Sequence, residues 1–249
     1  MKLALQIYTL RSYLSADRIK DTLRRVKEMG YDGVEWFGLM GYAPAQLAKL
    51  TEDAGLLMFS VHRSFDDIGS CNTDELDALA AAGVKYLPIG WLPEERLAGG
   101  PLFEETVAAI RKYAEEARKR GLYVMYHNHD FDLKPYGNET RLDALLAELP
   151  ADLFGAEPDT CWLYSGGVDP AAYLRKYAGR SPVVHLKDCV KEGGRSGFMP
   201  VGHGVLDWDA ILTECGAADW LCVEQDEPSG GLDAFECARL SAEFLRKAF

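Results

Sequence analysis

The stretch of this chain best equipped for chemistry is Tyr126-His127-Asn128-His129-Asp130-Phe131-Asp132. It follows Gly121-Leu122-Tyr123-Val124-Met125, an apolar run that reads as a buried strand. Successive strand residues face opposite sides, so His127 and His129 share a face. Three later apolar runs end alike, in Glu157-Pro158-Asp159, His185-Leu186-Lys187-Asp188 and Glu224-Gln225-Asp226. Imidazoles and carboxylates gathered this way can hold a divalent metal with positions left for substrate oxygens, or run acid/base chemistry without one. Mixed nitrogen and oxygen donors suit Mn, Co, Zn or Fe, and carboxylates alone suit Mg.

Such residues must be brought together by the elements that carry them. Leu3 to Tyr8 reads as a first strand, and Ser15 as the cap of a helix with Ile19, Leu23, Val26 and Met29 on its apolar face. Further strands are expected at 33–37, 56–62, 86–91, 122–128, 154–159, 183–188 and 220–225. Helices are expected near 44–54, 73–82, from Pro101, near 140–148, 169–178 and 207–215, and over 233–247. Strand starts lie 23 to 37 residues apart, the span of a strand, a crossover helix and two loops. Eight uninterrupted units predict a (β/α)8 TIM barrel as one domain over residues 1–249. A doubly wound sheet usually carries a glycine-rich turn after its first strand, and here that turn is Thr9-Leu10-Arg11-Ser12. Lys191 to Gly204, with five glycines, reads equally as a lid or as a surface excursion.

In a barrel the site lies at the C-terminal ends of the strands. All five histidines (His62, His127, His129, His185 and His203) fall at or just beyond such ends, joined by Glu157, Asp159, Asp188 and Glu224. Trp36, Trp91 and Trp162 stand where aromatic walls would face a sugar ring. Lys187 shares the face of His185 and would bind a substrate oxygen or pair with Asp159 or Glu157. A net charge of −12 argues against nucleic acid and anionic membranes. The start of the chain is too soon polar for a signal peptide, which predicts a cytoplasmic protein. The six cysteines show no CxxC spacing and read as buried thiols, with Cys161 and Cys189 the two near enough to the acidic positions to act as nucleophiles.

These residues resemble a known family, the sugar phosphate isomerase/epimerase-like proteins of the xylose isomerase-like TIM barrel superfamily. The resemblance runs from Gly-Tyr-Asp-Gly-Val-Glu-Trp through Tyr-His-Asn-His-Asp-Phe, Asp-Thr-Cys-Trp and His-Leu-Lys-Asp to Val-Gly-His-Gly-Val-Leu-Asp-Trp and Val-Glu-Gln-Asp. It implies one divalent cation held at the ends of strands five to eight. Asp159, His185 and Glu224 match the last three positions. His127 stands where relatives carry a glutamate, with His129 or Asp132 as the other sources of that ligand. His129 matches a substrate-contacting or catalytic position.

The resemblance implies a metal-dependent isomerase or epimerase of a sugar, sugar phosphate or keto-polyol, working by α-proton abstraction and an enediolate. Glu224 is the first candidate base, with His129 or His127 next, and His62, Lys187, Glu157 and Trp91 toward substrate. A dehydratase or lyase on a keto-inositol or keto-glycoside is the alternative, since loss of the same proton can expel a β-substituent. Epimerases of the superfamily use glutamates on both substrate faces. With His127 in one of those places, one-base isomerisation and elimination fit better. The expected partners are a small carbohydrate and, at most, further copies of the chain. An abasic-DNA endonuclease of the same superfamily is disfavoured by the acidic charge, and a non-catalytic sugar-binding barrel is the remaining class.

Overall fold

A computed structural model describes residues 1–190 and 197–248. Its centre is one sheet of eight parallel strands: β1 Lys2–Gln6, β2 Gly33–Trp36, β3 Leu57–Val61, β4 Tyr86–Ile89, β5 Tyr123–His127, β6 Phe154–Glu157, β7 Val183–Leu186 and β8 Trp220–Val223. The ladder runs β6-β5-β4-β3-β2-β1-β8-β7. It closes between β6 and β7 through one bridge, Asp159 to His185, where the His185 N–H donates to Pro158 O at 2.9 Å. The result is the (β/α)8 barrel that the spacing predicted. No helix among the described residues is long and apolar enough to cross a membrane.

Among the described residues ten α-helices lie around it: α1 Ile19–Glu28, α2 Pro44–Asp53, α3 Phe65–Ser70, α4 Thr73–Ala81, α5 Phe103–Arg118, α6 Arg141–Ala147, α7 Thr160–Ser165, α8 Pro170–Lys176, α9 Trp208–Glu214 and α10 Ala234–Ala248. Ile19, Leu23 and Val26 of α1 and Val107, Ile110, Ala114 and Ala117 of α5 are buried against the strands, as their spacing requires. Some details differ from expectation. The chain leaves β1 at Gln6 into a 3-10 turn, Ile7–Tyr13, because the Gln6 side chain accepts the Tyr8 N–H. Ser15 does not cap α1, whose preceding residue Arg18 makes no side-chain cap. The short helices α3 and α7 follow strand ends directly and were hidden by their length. Part of the glycine-rich stretch, 191–196, lies outside the described residues.

Alternation along the strands builds the barrel interior in two layers. Toward the N-terminal end Ala4, Phe59, Tyr86, Met125, Val183, Trp220 and Cys222 form a separate apolar cluster, with Phe59 stacked on Trp220 at 4.0 Å. Gly33 leaves room for it, since a Cβ there would meet the Trp220 ring at 2.9 Å. Two residues onward along the strands the same inward face turns polar. Ala4 gives way to Gln6, Gly33 to Glu35, Met125 to His127, Gly155 to Glu157, Val183 to His185 and Cys222 to Glu224. Register then pairs these groups laterally, Gln6 beside Glu35, Glu35 beside Ser60 and His127 beside Glu157.

Candidate functional site

The polar layer forms the floor of a cavity of about 530 Å3 at the C-terminal end of the barrel, walled by His62, Trp91, His129, Phe131, Trp162 and Phe198. His127 and Glu224 reach the cavity, while Asp159, His185, Lys187 and Glu157 lie beneath its surface.

Single ligand atoms from His127, Asp159, His185 and Glu224 lie within 4.8 Å of one another. Metal–ligand bonds of about 2.0–2.2 Å separate the ligand atoms of one ion by roughly 3–4 Å, so a small contraction would close this set on a cation. Each member is positioned by local structure. Asp159 caps α7, its Oδ1 accepting the Trp162 N–H at 2.8 Å, and its own N–H donates to Asn128 Oδ1 at 3.0 Å. That leaves Oδ2 for the centre. His185 Nδ1 lies 3.2 Å from Glu224 Oε2, and His127 Nε2 lies 3.9 Å from the same oxygen.

Two other sets overlap this one, His62, His127, Glu157 and His185, and Glu35, His185 and Cys222. A neutral imidazole offers one lone pair and keeps one N–H, so His127 and His185 cannot serve all three sets at once. Their opposite nitrogens divide the work. His185 Nε2 lies 2.5 Å from Glu35 Oε1, and His127 Nδ1 lies 3.5 Å from Glu157 Oε2. Carboxylates on the far nitrogens orient imidazoles whose near nitrogens face a cation. Glu35 and Glu157 fit that outer position.

Glu35 is the residue that sequence reasoning missed. It is fully buried and accepts from Gln6 Nε2 (2.9 Å), Ser60 Oγ, His62 Nε2 (3.0 Å) and His185 Nε2 (2.5 Å). Burial opposes its charge, yet His62 and His185 outweigh that and hold its carboxyl well below the usual carboxylate range. The signal was a lone acid within the apolar run Gly-Val-Glu-Trp-Phe. Trp36, the next residue, points outward and is buried with its indole N–H on Thr51 Oγ1, so it is core and not a sugar wall.

The electrostatics follow from burial. Glu157 is pushed up to about 7 and Asp159 to about 6, chiefly by loss of water. His62 Nε2 sits 3.0 Å from both Glu35 and Glu157. Burial works against its charge, but the two carboxylates raise it to about 10. Burial and the neighbouring His185, His129 and His62 hold His127 well below the ordinary imidazole value, which keeps it neutral and able to ligate. Lys187 is fully buried, with Nζ 3.1 Å from Asp159 Oδ2, 2.8 Å from Glu224 Oε2 and 3.2 Å from Asp226 Oδ1. Of the two sequence readings for this lysine, the ion pair with Asp159 is the one realised. Burial disfavours the Glu224 charge, but Lys187 and His185 outweigh it and hold this carboxyl well below the usual range.

Whether the residues suit a cation can be tested on atoms left without hydrogen bonds. Asp159 Oδ2, the oxygen left for the centre, is a buried atom of this kind, and its contact with Lys187 is an ion pair whose angles make no hydrogen bond. Five carboxylates, Glu35, Glu157, Asp159, Glu224 and Asp226, converge on three imidazoles and one ammonium. That surplus of anionic donors suits a divalent cation.

Three other expectations are redirected. Asp132 lies outside the convergent sets, its Oδ1 accepting from Tyr126 OH at 2.9 Å and its Oδ2 from the His129 N–H at 2.7 Å. Asp188 faces away from the site and accepts from Cys189, Gly202, Gly204 and Leu206 N–H and from the Trp208 indole. His203 is exposed in that loop. His129 lines the cavity edge beside Phe131 and Trp162, both with ring centroids 5.4 Å away. Cys161 and Cys189 are buried free thiols.

The family model of the xylose isomerase-like TIM barrel matches residues 23–248. The inosose dehydratase of Bacillus thuringiensis (strain Al Hakam) is 29% identical over 151 residues, covering 53% of this chain and 49% of that protein. The chain thus spans about half the length of the curated relatives it matches. A sugar phosphate isomerase/epimerase from Parabacteroides distasonis ATCC 8503 superposes with a TM-score of 0.81 at 21% identity, covering 99% of this chain and 98% of that one. The IOLI protein with a binding zinc atom superposes with a TM-score of 0.75 at 16% identity, covering 99% and 97%. At those identities the structural likeness speaks for the fold alone.

Proposed function

Because the chain belongs to the xylose isomerase-like TIM barrel family, we propose that it is a divalent-metal lyase of the dehydratase type. It removes the proton beside the ketone of a keto-polyol and expels the oxygen substituent on the next carbon. The observation that carries this reading is that the β5 member of the convergent set is an imidazole, His127, so that Glu224 is the one carboxylate of that set on the cavity wall. Epimerisation by carboxylates on opposite faces lacks its second base here, whereas elimination needs only one acid/base group. The likeness to inosose dehydratases supports the same preference. It moves weight from the isomerase reading, which the resemblance put first, to the elimination alternative.

Held by His127, Asp159, His185 and Glu224, a divalent cation supplies Lewis acidity that eases loss of the proton beside a carbonyl. The remaining work falls to the chain. Glu224 is committed to Lys187 and His185 and is a weak base for that reason, so His129 takes the first place as proton acceptor. The C–H proton passes to His129, the electron pair forms the new double bond, and the C–O bond breaks. The departing oxygen then recovers the proton from the His129 imidazolium. Phe131, Trp162 and Phe198 line the cavity with apolar surface that limits water at the reacting carbons. The test is a keto-inositol in D2O with Mn, Co or Zn. Loss of water with solvent deuterium in recovered substrate is expected, and His129→Gln should cut kcat by roughly 10²–10⁴-fold with metal content retained. Isomerisation without water loss would sink the reading.

A further inference from the structure

A second cavity adjoins the reacting one at its aromatic wall. Trp91, two residues past the end of β4, is 54% exposed and lines both the inner cavity and an outer one of about 510 Å3. Phe131 is the other shared wall, and Leu92, Glu94, Asp130 and Ser165 complete much of the outer lining. Each cavity falls in the range of roughly 300–1,000 Å3 that holds a small ligand. The outer one contains none of the convergent metal-ligand set, so it suits binding and not reaction.

Charge narrows what it binds. Among the described residues, the cations lining the inner cavity are Arg11, tied to Glu227 Oε1 at 2.5 Å and to Asp226 O, and His62, which Glu35 and Glu157 keep protonated. The cation lining the outer cavity is Lys134, paired with Glu94. Against these three stand five lining carboxylates, Glu224, Asp226 and Glu227 inside and Glu94 and Asp130 outside. In the outer cavity, where two acids face one lysine, a phosphate or carboxylate on the ligand would meet like charge. An uncharged ring meets an indole face and acceptors for its hydroxyls, the two things a sugar ring needs.

We propose that the outer cavity is a second subsite for an uncharged sugar ring, so that the substrate is a two-ring keto-glycoside whose ketone-bearing ring sits inside and whose leaving ring lies on Trp91. This rests on the elimination reading and specifies its leaving group. The proton beside the ketone is taken up, the carbon–carbon double bond forms, and the glycosidic C–O bond breaks. The departing alkoxide recovers the proton and leaves as an alcohol, with no oxidant or reductant required.

The test uses binding apart from turnover. Cellobiose and glucose are titrated against metal-loaded protein by tryptophan fluorescence and calorimetry. Wild type should bind cellobiose about tenfold tighter than glucose. Trp91→Ala, and separately Ser165→Leu, which fills the outer cavity, should bring that ratio close to one. Equal affinities in wild type, no binding of either sugar, or a ratio that survives both substitutions would overturn the subsite. So would a change of oligomeric state in Trp91→Ala with the ratio intact, which would make the face a contact between copies. If the ratio behaves as expected but no keto-sugar is turned over, the subsite stands and the elimination reading falls. Turnover of keto-inositol without two-ring preference would overturn the subsite and leave the elimination reading standing.

Discussion

Glu35 and Asp132 are both buried acids, and their surroundings shift their ionisation in opposite directions. Glu35 faces two imidazoles and stays ionised, and its bond to His185 Nε2 leaves Nδ1 for the centre. Glu35→Ala should therefore weaken divalent-metal affinity by about 10–100-fold, read by competition with a chromogenic chelator, and Glu35→Gln, which can still accept from the imidazole, should lose less. Equal affinity in wild type and both variants would leave Glu35 a packing residue. Asp132 has only neutral donors, Tyr126 OH and the His129 N–H, and burial pushes it up to about 7. Its folded pKa exceeds its unfolded one, so its contribution is fully present below about pH 4 and is lost as pH rises through 7. Asp132→Asn should gain on wild type between pH 4 and 8 in denaturant titrations, by about 4 kcal/mol at most. A pH-independent difference would contradict the assignment. In the sequence Asp132 was a plausible ligand and Glu35 only a lone acid in an apolar run, because a strand-end rule sees position along the chain and not which partner an acid meets.

At the scale of elements, the eight strands and the crossover helices were legible from period-two alternation and spacing, while the set His127, Asp159, His185 and Glu224 was implied by the family resemblance. What was not legible depends on side chains that redirect the backbone just past a strand. Asp159 caps α7 immediately after β6, so a helix begins where a loop was read. Asp188 follows β7 and was expected at the rim, yet five donors turn it into the anchor of the segment leading to α9. Gly204 is required there, because a Cβ would fall 2.2 Å from Asp188 Oδ1 and 2.3 Å from Cys189 O. Asp188→Ala strands the buried Trp208 indole and frees the segment, which predicts a loss of about 2–4 kcal/mol and new proteolytic cleavage between 197 and 206. Metal affinity should change far less than in Asp159→Ala. Comparable metal loss in the two variants would return Asp188 to the site.

The barrel's weakest seam lies between β6 and β7, and the candidate centre spans it. Six of its junctions pair three or four residues each and β3 pairs with β4 at Ser60–Tyr86 and the bridge Arg63–Ile89, whereas β6 and β7 meet through the single bridge of Asp159 with His185, helped by Thr160 Oγ1, which donates to Lys187 O at 2.8 Å. Those two bridged residues are also members of the convergent set, one from each side of the seam. Without a cation, Lys187 holds Asp159 and Glu224 together, but it projects from the β7 side and ties β6 only through one carboxylate. A cation bound by residues of β5 to β8 would link both sides through its own bonds and stabilise the folded state by mass action. At free metal 100-fold above Kd the gain is about 2.7 kcal/mol, or roughly 5–10 °C in Tm for a chain of this size. Chelation should reverse that gain and speed hydrogen exchange first at the His185 amide, which bonds across the seam to Pro158 O. The β2–β3 amides, far from the seam in the ladder, should change least. In Asp159→Ala the metal-dependent part of both signals should vanish. Uniform protection by metal across all eight strands, or no effect of chelation on Tm, would show that the centre does not close the barrel.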